Sequence, residues 1–421
     1  MIRHTILALL LFVTGTSAVT AQTPAFTRTE DVIYGRKFGV ALTMDVFTPK
    51  EKVNGAGVIF CVSGGWVSSK DSVNAVYYAE LLKRGYVVFA VVHGSQPKFT
   101  IPEVLEDMHR AVRYIRHNAA KYNVDPERLG ISGASAGGHL SLMQGNAPKA
   151  GDPKAKDPVD RQSSKVGAIA CFFPPTDFLN YGKEGVIALG GGPLTSFRPP
   201  FDFRERDAKT NSWGIITDEE KRKAIGKEIS PVYHVSATSA PALVMHGDKD
   251  KLVPIQQAEL VIEAYKKAGV PCKLVTKVGG DHGWAGIDKD IAQFADWFDK
   301  HLPAKAVSTA IEHTKDAPDA IKKALAAKTA VLIDVREFKE WEAGHLQDAT
   351  LFPLSKIKAG TTADELAKLM PKGKVVYLHC RAGGRCVTAA EILVKQGYDV
   401  RPLKDGYDDL VKLGFPKADE K

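Results

Sequence analysis

The chain has 421 residues, 44% hydrophobic and 25% charged, which places it among globular proteins at a length suited to two domains. Its 57 basic and 49 acidic residues give a net charge of +8, mild for this length; no arginine-rich stripe with interleaved aromatics appears, so nothing argues for nucleic-acid binding. Five cysteines, three of them in apolar strand-like runs (Cys61, Cys171 and Cys272), do not make a disulfide framework, and neither an internal repeat nor a metal-ligand spacing is present, so no metal or cofactor is expected.

The N-terminus carries Arg3, an apolar stretch over 6–13 and small residues leading to Val19, Thr20 and Ala21. This predicts a secretory signal peptide over 1–21 and a periplasmic or secreted protein. The apolar run is too short for a bilayer and is broken by Thr14, Gly15, Thr16 and Ser17, so no integral membrane segment is expected after cleavage. Apolar, β-branched runs then recur at 57–62, 87–92, 128–132, 166–173, 242–245 and 272–278, alternating with helical stretches. Such alternation predicts an α/β fold with a mostly parallel sheet covered on both faces. One intervening helix starts at Ile101-Pro102-Glu103 and repeats Val104, Met108, Ala111, Val112 and Ile115 near helical spacing, with Arg110, Arg113 and Arg116 expected on a solvated face.

The third run leads into Gly133-Ala134-Ser135-Ala136-Gly137 and then a helix. A serine on a sharp strand-to-helix turn needs glycines two positions either side, because larger side chains there would clash, which makes Ser135 a candidate nucleophile. It requires a base and an orienting carboxylate in the order Ser, Asp, His. The run at 242–245 delivers His246-Gly247-Asp248-Lys249-Asp250, and the run at 272–278 delivers Gly279-Gly280-Asp281-His282. His282 is the candidate general base and acid, with an aspartate holding its tautomer. His139, His93 and His246 have duller readings, the first as a packed or surface helix histidine and the others as strand-end residues satisfying backbone groups. The interval 179–230 reads as neither a strand nor a single helix and is a candidate lid. Its Phe197, Phe201, Phe203 and Trp213 either line an acyl or aryl pocket or anchor the excursion to the body.

Residues 26–302 thereby resemble the α/β-hydrolase family, most closely its carboxylesterase and feruloyl-esterase-like members, and 22–302 is expected to form that domain. The resemblance implies a serine hydrolase acting on a small-molecule carboxylic ester. In the family the acid stands before a Val-Pro tail, which selects Asp250 over Asp248; Asp248 is then a turn residue bonding its own backbone, and Asp281 a loop carboxylate. Val62-Ser63-Gly64-Gly65-Trp66 resembles the His-Gly-Gly-Gly-Trp loop of esterases, with Val62 replacing the histidine and Ser63 the first glycine. The resemblance implies that Gly64, Gly65 and Ala136 supply the amides of an oxyanion hole.

Beyond a Pro- and Ala-containing junction at 301–306, residues 303–421 have a pattern of their own. An apolar strand at 330–333 leads to Asp334-Val335-Arg336, and a second at 374–379 delivers Cys380-Arg381-Ala382-Gly383-Gly384-Arg385 ahead of a helix. Backbone amides and a helix N-terminus stabilise a thiolate or persulfide at Cys380. This region resembles the rhodanese (sulfurtransferase) domain. The tail Leu403-Lys404-Asp405-Gly406-Tyr407 fits as well, with Asp405 where a glycine is usual. The loop Arg381, Ala382, Gly383, Gly384, Arg385 encloses four residues before its arginine, whereas the related phosphatases enclose five; this favours sulfur over phosphate and implies a sulfur donor or thiol reductant as partner. Cys386 reads either as a resolving thiol or as a small packed residue.

The expected protein is a secreted serine esterase with an appended, smaller rhodanese-like domain. Its alternatives are a sulfurtransferase or thiol-redox protein using Cys380 with the hydrolase domain secondary, and a non-catalytic surface-binding protein.

Overall fold

The computed structural model describes residues 25–304 and 311–419, apart from 372 and 395, so the expected signal peptide lies outside the described residues. The chain divides into two compact units at residues 304/305.

In the first unit, β1 (Phe26–Lys37), β2 (Val40–Pro49), β3 (Gly57–Val62), β4 (Val87–Val92), β5 (Leu129–Ala134), β6 (Ala168–Phe172), β9 (Ala242–Gly247) and β10 (Cys272–Lys277) form one sheet in the order β1-β2-β4-β3-β5-β6-β9-β10. From β4 to β10 every pairing is parallel. Only β1 with β2 and β2 with β4 run antiparallel. Alternation in each strand feeds two cores. Val87, Phe89 and Val91 of β4 enter one with α2 (Ile101–His117), α3 (Ala136–Asn146) and α5 (Gln256–Lys267). Val88 and Ala90 enter the other with α1 (Ala79–Lys83) and α6 (Ile287–His301). The sheet is therefore mostly parallel and covered on both faces, as the alternating apolar runs predict. β1 has no such run, because its outer stretch Thr27 to Asp31 is exposed and polar.

α2 begins where predicted: Thr100 and Glu103 form a capping box, with Pro102 in the first turn. Its arginines do not form a solvated face. Arg110 pairs with Asp157 at 2.6 Å and Asp160 at 2.8 Å, and Arg113 donates to the Ala150 carbonyl at 2.9 Å. Arg116 donates to the Pro126, Ser163 and Lys165 carbonyls. Long guanidinium donors satisfy loop carbonyls that would otherwise be left unpaired.

The inserted interval 179–230 holds short 3-10 turns, a hairpin of β7 (Arg204–Arg206) and β8 (Trp213–Ile215), and α4 (Glu219–Glu228), capped by Asp218. Its aromatics divide the two expected roles. Phe201 and Phe203 are buried anchors, Trp213 is exposed, and Phe197 alone of the four turns toward the serine.

The second unit is a parallel sheet of β11 (Ala330–Asp334), β12 (Ala349–Leu351), β13 (Val375–His379) and β14 (Asp399–Pro402), ordered β12-β11-β13-β14. One face packs against α9 (Leu354–Ala359), α10 (Ala363–Leu369) and α11 (Gly384–Val394). The other packs against α7 (Pro318–Ala326) and α12 (Tyr407–Lys412), while α8 (Phe338–Glu342) follows β11. This is the smaller α/β domain expected.

Candidate active site

Four loops leave the carboxyl ends of β3, β5, β9 and β10, the edge where open α/β sheets bind ligands. Ser135 is the single residue between β5 and α3, held at φ 53° and ψ −119°, a conformation that non-glycine residues adopt only where the surroundings enforce it. The turn closes because its neighbours lack side chains. A Cβ on Gly133 would lie 2.5 Å from the Gly137 carbonyl, and one on Gly137 would lie 2.6 Å from the Cys61 carbonyl oxygen.

His282 Nε2 lies 2.9 Å from Ser135 Oγ, and its Nδ1 lies 2.8 Å from Asp250 Oδ2. A carboxylate only accepts, so Nδ1 carries the proton and Nε2 is left bare toward the serine hydroxyl. The other Asp250 oxygen accepts from the Leu252 and Val253 amides at 2.9 and 2.8 Å. Burial alone would raise the Asp250 carboxyl. Hydrogen bonds from His246, His282 and the Val253 amide outweigh it and hold the group well below the usual carboxylate range. The Phe173 ring packs against the imidazole of His282, 4.4 Å between centroids.

The loop after β3 departs from expectation at one glycine. The Gly64 amide is spent on the Val67 carbonyl at 3.0 Å, closing a tight turn, and so does not face the serine as a free donor. The amides of Gly65 and Ala136 make no hydrogen bond among the described residues. Gly65 sits at φ 55°, and a Cβ there would meet the Phe197 ring at 2.6 Å. Beside Ser135 a small cavity of about 20 Å³ is lined by Gly65, Trp66, Tyr181, Leu194, Phe197 and Val253, among others.

Three histidines with dull sequence readings support these loops. With valine at position 62, the brace comes from β4 instead: His93 Nε2 lies 2.8 Å from Ser63 Oγ, while its Nδ1 meets the Gly94 carbonyl. His139 is no second base, because both ring nitrogens are used, accepting from the Trp66 indole at 3.2 Å and donating to the Ile229 carbonyl at 2.7 Å. His246 Nε2 bonds the Val253 carbonyl at 2.7 Å and also faces Asp250 Oδ2 at 3.3 Å. The only sequence signal for that contact is the four-residue spacing of His246 and Asp250 across a strand end. Asp248 accepts from the Gly279 amide rather than bonding its own backbone, and Asp281 accepts from the Lys251 and His282 amides. Together these carboxylates tie the acid-bearing loop to the histidine-bearing loop.

In the second unit, Cys380 directly follows β13 and is buried. The Cys386 thiol, against the opposing effect of burial, and the amides of Ala382, Cys386 and Arg385 lower the Cys380 thiol to about 5. Arg381, Ala382 and Gly384 are exposed, whereas Gly383 is buried at φ 77° against the Lys404 carbonyl. Arg385 is held by Glu340 through two bonds of 2.6 and 2.7 Å. Gly406, not Asp405, is the position without room, since a Cβ would lie 1.8 Å from the Arg381 carbonyl oxygen. Among the described residues, no group of three or more His, Cys, Asp or Glu is placed to hold a metal, and no helix is long and apolar enough to cross a membrane.

Burial lowers His93, His109, His139 and His379 to about 4 from the usual 6.5. The unfolded chain therefore takes up protons at a higher pH than the folded one. The stability these groups contribute is complete above pH 6.5 and drains away as pH falls toward 4. From pH 6.5 down to 5, proton uptake on unfolding is expected to rise from roughly two to roughly three and a half, a loss of several kcal/mol over the window. Denaturant titrations across that window would show it, and a flat profile would contradict the neutral buried histidines.

Comparison with known proteins agrees with this fold. Residues 44–265, just over half of the chain, match the family model BD-FAE, and residues 317–413 match the rhodanese-like domain. "Probable carboxylic ester hydrolase LipM" of Mycobacterium tuberculosis (strain ATCC 25618 / H37Rv) is 27% identical over 241 residues, 56% of this chain and 51% of the relative. Esterase LipQ of the same organism is 26% identical over 246 residues, 58% and 53% of the two chains. The chain thus spans about half the length of these curated relatives. A solved structure, a truncated form of a carbohydrate esterase from gut microbiota, superposes with a TM-score of 0.53 at 26% identity, covering 66% of this chain and 98% of that one. Because the family match extends over more than half of the chain and contains the strand, turn and helix around Ser135, the protein belongs to the BD-FAE family and carries a rhodanese-like domain after it.

Proposed function

We propose that the first unit is a carboxylic ester hydrolase in which Ser135 is the nucleophile, His282 the general base and then acid, and Asp250 its orienting partner. The hydrogen-bonded line Asp250–His282–Ser135 carries this reading. As Ser135 Oγ attacks the ester carbonyl, its proton passes to His282 Nε2, and the imidazolium is stabilised by the buried Asp250. The Gly65 and Ala136 amides, unspent in the resting site, receive the oxyanion. His282 then protonates the leaving alcohol and activates the water that releases the acid.

The small cavity beside Ser135 supports a short acyl group such as acetyl, and the likeness to a carbohydrate esterase supports a sugar as the alcohol. Aryl leaving groups remain within the same chemistry. The test is a chain-length series of chromogenic esters. Acetate is expected to exceed octanoate in kcat/KM by roughly 100-fold or more, because each misfitting methylene costs on the order of 1 kcal/mol or more. Equal turnover of both would overturn the short-acyl assignment, and no turnover of any ester, with no phosphonate labelling of Ser135, would overturn the hydrolase reading. The interval 179–230 acts as the lid that brings Phe197 to this cavity. The N-terminal segment 1–21 supports export to the periplasm or medium.

For the second unit the lowered Cys380 thiol in its cradle of amides supports acceptance of sulfane sulfur as a persulfide, drawn from a donor such as thiosulfate.

A further inference from the structure

Sulfur acceptance at Cys380 needs a thiolate, the loop amides and a nearby cation; it does not need a second cysteine. The second unit nevertheless has one in the same buried cluster as the first. Cys386 lies in the first turn of α11, six residues after Cys380. Both are free thiols, both belong to the same buried cluster behind one loop, and each is the largest influence on the other's ionisation. The other three cysteines are in strands of the first unit. A serine or threonine would serve as well if only a hydrogen-bond donor were required, whereas only a thiol can also form a bond to sulfur.

We propose that Cys386 is a resolving thiol that discharges a persulfide on Cys380 as sulfide, so that the second unit works as a sulfane-sulfur reductase and not only as a sulfur carrier. The inference rests on sulfur acceptance at Cys380, proposed above. In the first step the Cys380 thiolate attacks the outer sulfur of thiosulfate, the sulfur–sulfur bond of thiosulfate breaks, and sulfite leaves. The charge then sits on the outer sulfur of the persulfide. In the second step Cys386 Sγ attacks Cys380 Sγ, the persulfide bond breaks, and the thiol proton of Cys386 departs with the outer sulfur as HS⁻. The two thiols are oxidised by two electrons to a Cys380–Cys386 disulfide, and the sulfane sulfur is reduced to sulfide. A dithiol reductant returns the disulfide to the starting pair. The neighbouring Cys380 sulfur, together with burial, pushes the Cys386 thiol up, which keeps the needed proton on it until the charge has moved outward.

The test uses the reduced full chain, freed of small thiols, with thiosulfate under anaerobic conditions. Wild type is expected to release sulfite and sulfide in equal amounts. After unfolding and alkylation, Cys380 and Cys386 should be found in one disulfide while Cys61, Cys171 and Cys272 remain reduced. Cys386→Ser is expected to end as a stable Cys380 persulfide that yields sulfide only when dithiothreitol is added. Sulfite without sulfide from wild type, with the persulfide retained, overturns the resolving role and leaves sulfur acceptance standing. Release of neither product overturns sulfur acceptance and the resolving role together. The disulfide map of wild type decides the matter by itself if the serine variant does not fold.

Discussion

Ser135→Ala is expected to lower kcat/KM for ester hydrolysis by roughly 10⁴-fold to 10⁶-fold while the protein stays folded. The side chain contributes one hydrogen bond, to His282, and fills no core space, so its loss leaves the packing of β5 and α3 unchanged. The turn itself is held by its backbone: the Ser135 amide donates to the Phe172 carbonyl at 3.0 Å, and the His139 amide donates to the Ser135 carbonyl at 2.9 Å. Alanine inherits the φ of 53° without added crowding, because the glycines at 133 and 137 provide the room. Residual turnover over water would come from the Gly65 and Ala136 amides acting on a water-borne nucleophile. Steady-state kinetics on a short acyl ester, paired with thermal unfolding of both proteins, checks the expectation. Activity within tenfold of wild type would remove Ser135 from the chemistry.

The second large effect is expected of Asp250→Asn, roughly a 10³-fold to 10⁴-fold loss in kcat with little change in KM. The reasoning follows the hydrogen bonds of the carboxylate. Oδ1 accepts from two amides, Leu252 and Val253, so in the variant the amide oxygen must stay on that side. The new NH₂ group is then placed at Oδ2, facing His282 Nδ1 and His246 Nε2. A donor there favours the His282 tautomer with Nδ1 bare and Nε2 protonated, which points a proton at Ser135 and removes the base. His246, already committed to the Val253 carbonyl, has no second acceptor to turn to and stays in place. Alanine at 250 would instead leave two amides and the His282 Nδ1–H without an acceptor, and its loss of activity would be confounded by loss of stability. The asparagine variant therefore separates tautomer control from folding. A pH–rate profile in which activity recovers at high pH would indicate that the base is still available and contradict this account.

Much of this molecule is local. The apolar β-branched runs, the capping box at Thr100 and Glu103, the paired glycines around Ser135 and the glycine-bearing loop after Cys380 are each confined to a short stretch of chain. Their physical requirements are backbone requirements, so the sequence by itself determined the fold class, the places of six of the eight strands of the large sheet and the order in which the candidate residues appear. β1 was not legible for the complementary reason, since its exposed polar face has no apolar period. What only the tertiary structure decided involves partners distant in the chain. Gly64 and Gly65 look equivalent in sequence, yet only the turn to Val67 shows which amide is spent. His93 replaces the bracing histidine missing at Val62 from 30 residues away, and His139 joins the loop at Trp66 to the segment at Ile229. Arg110 and Arg116 read as solvated charge until the loop at 150–166 folds across them. A buried polar group must find a partner somewhere, but which partner is set by how the strands and helices stack, and that information is spread across the whole chain rather than held at any one position.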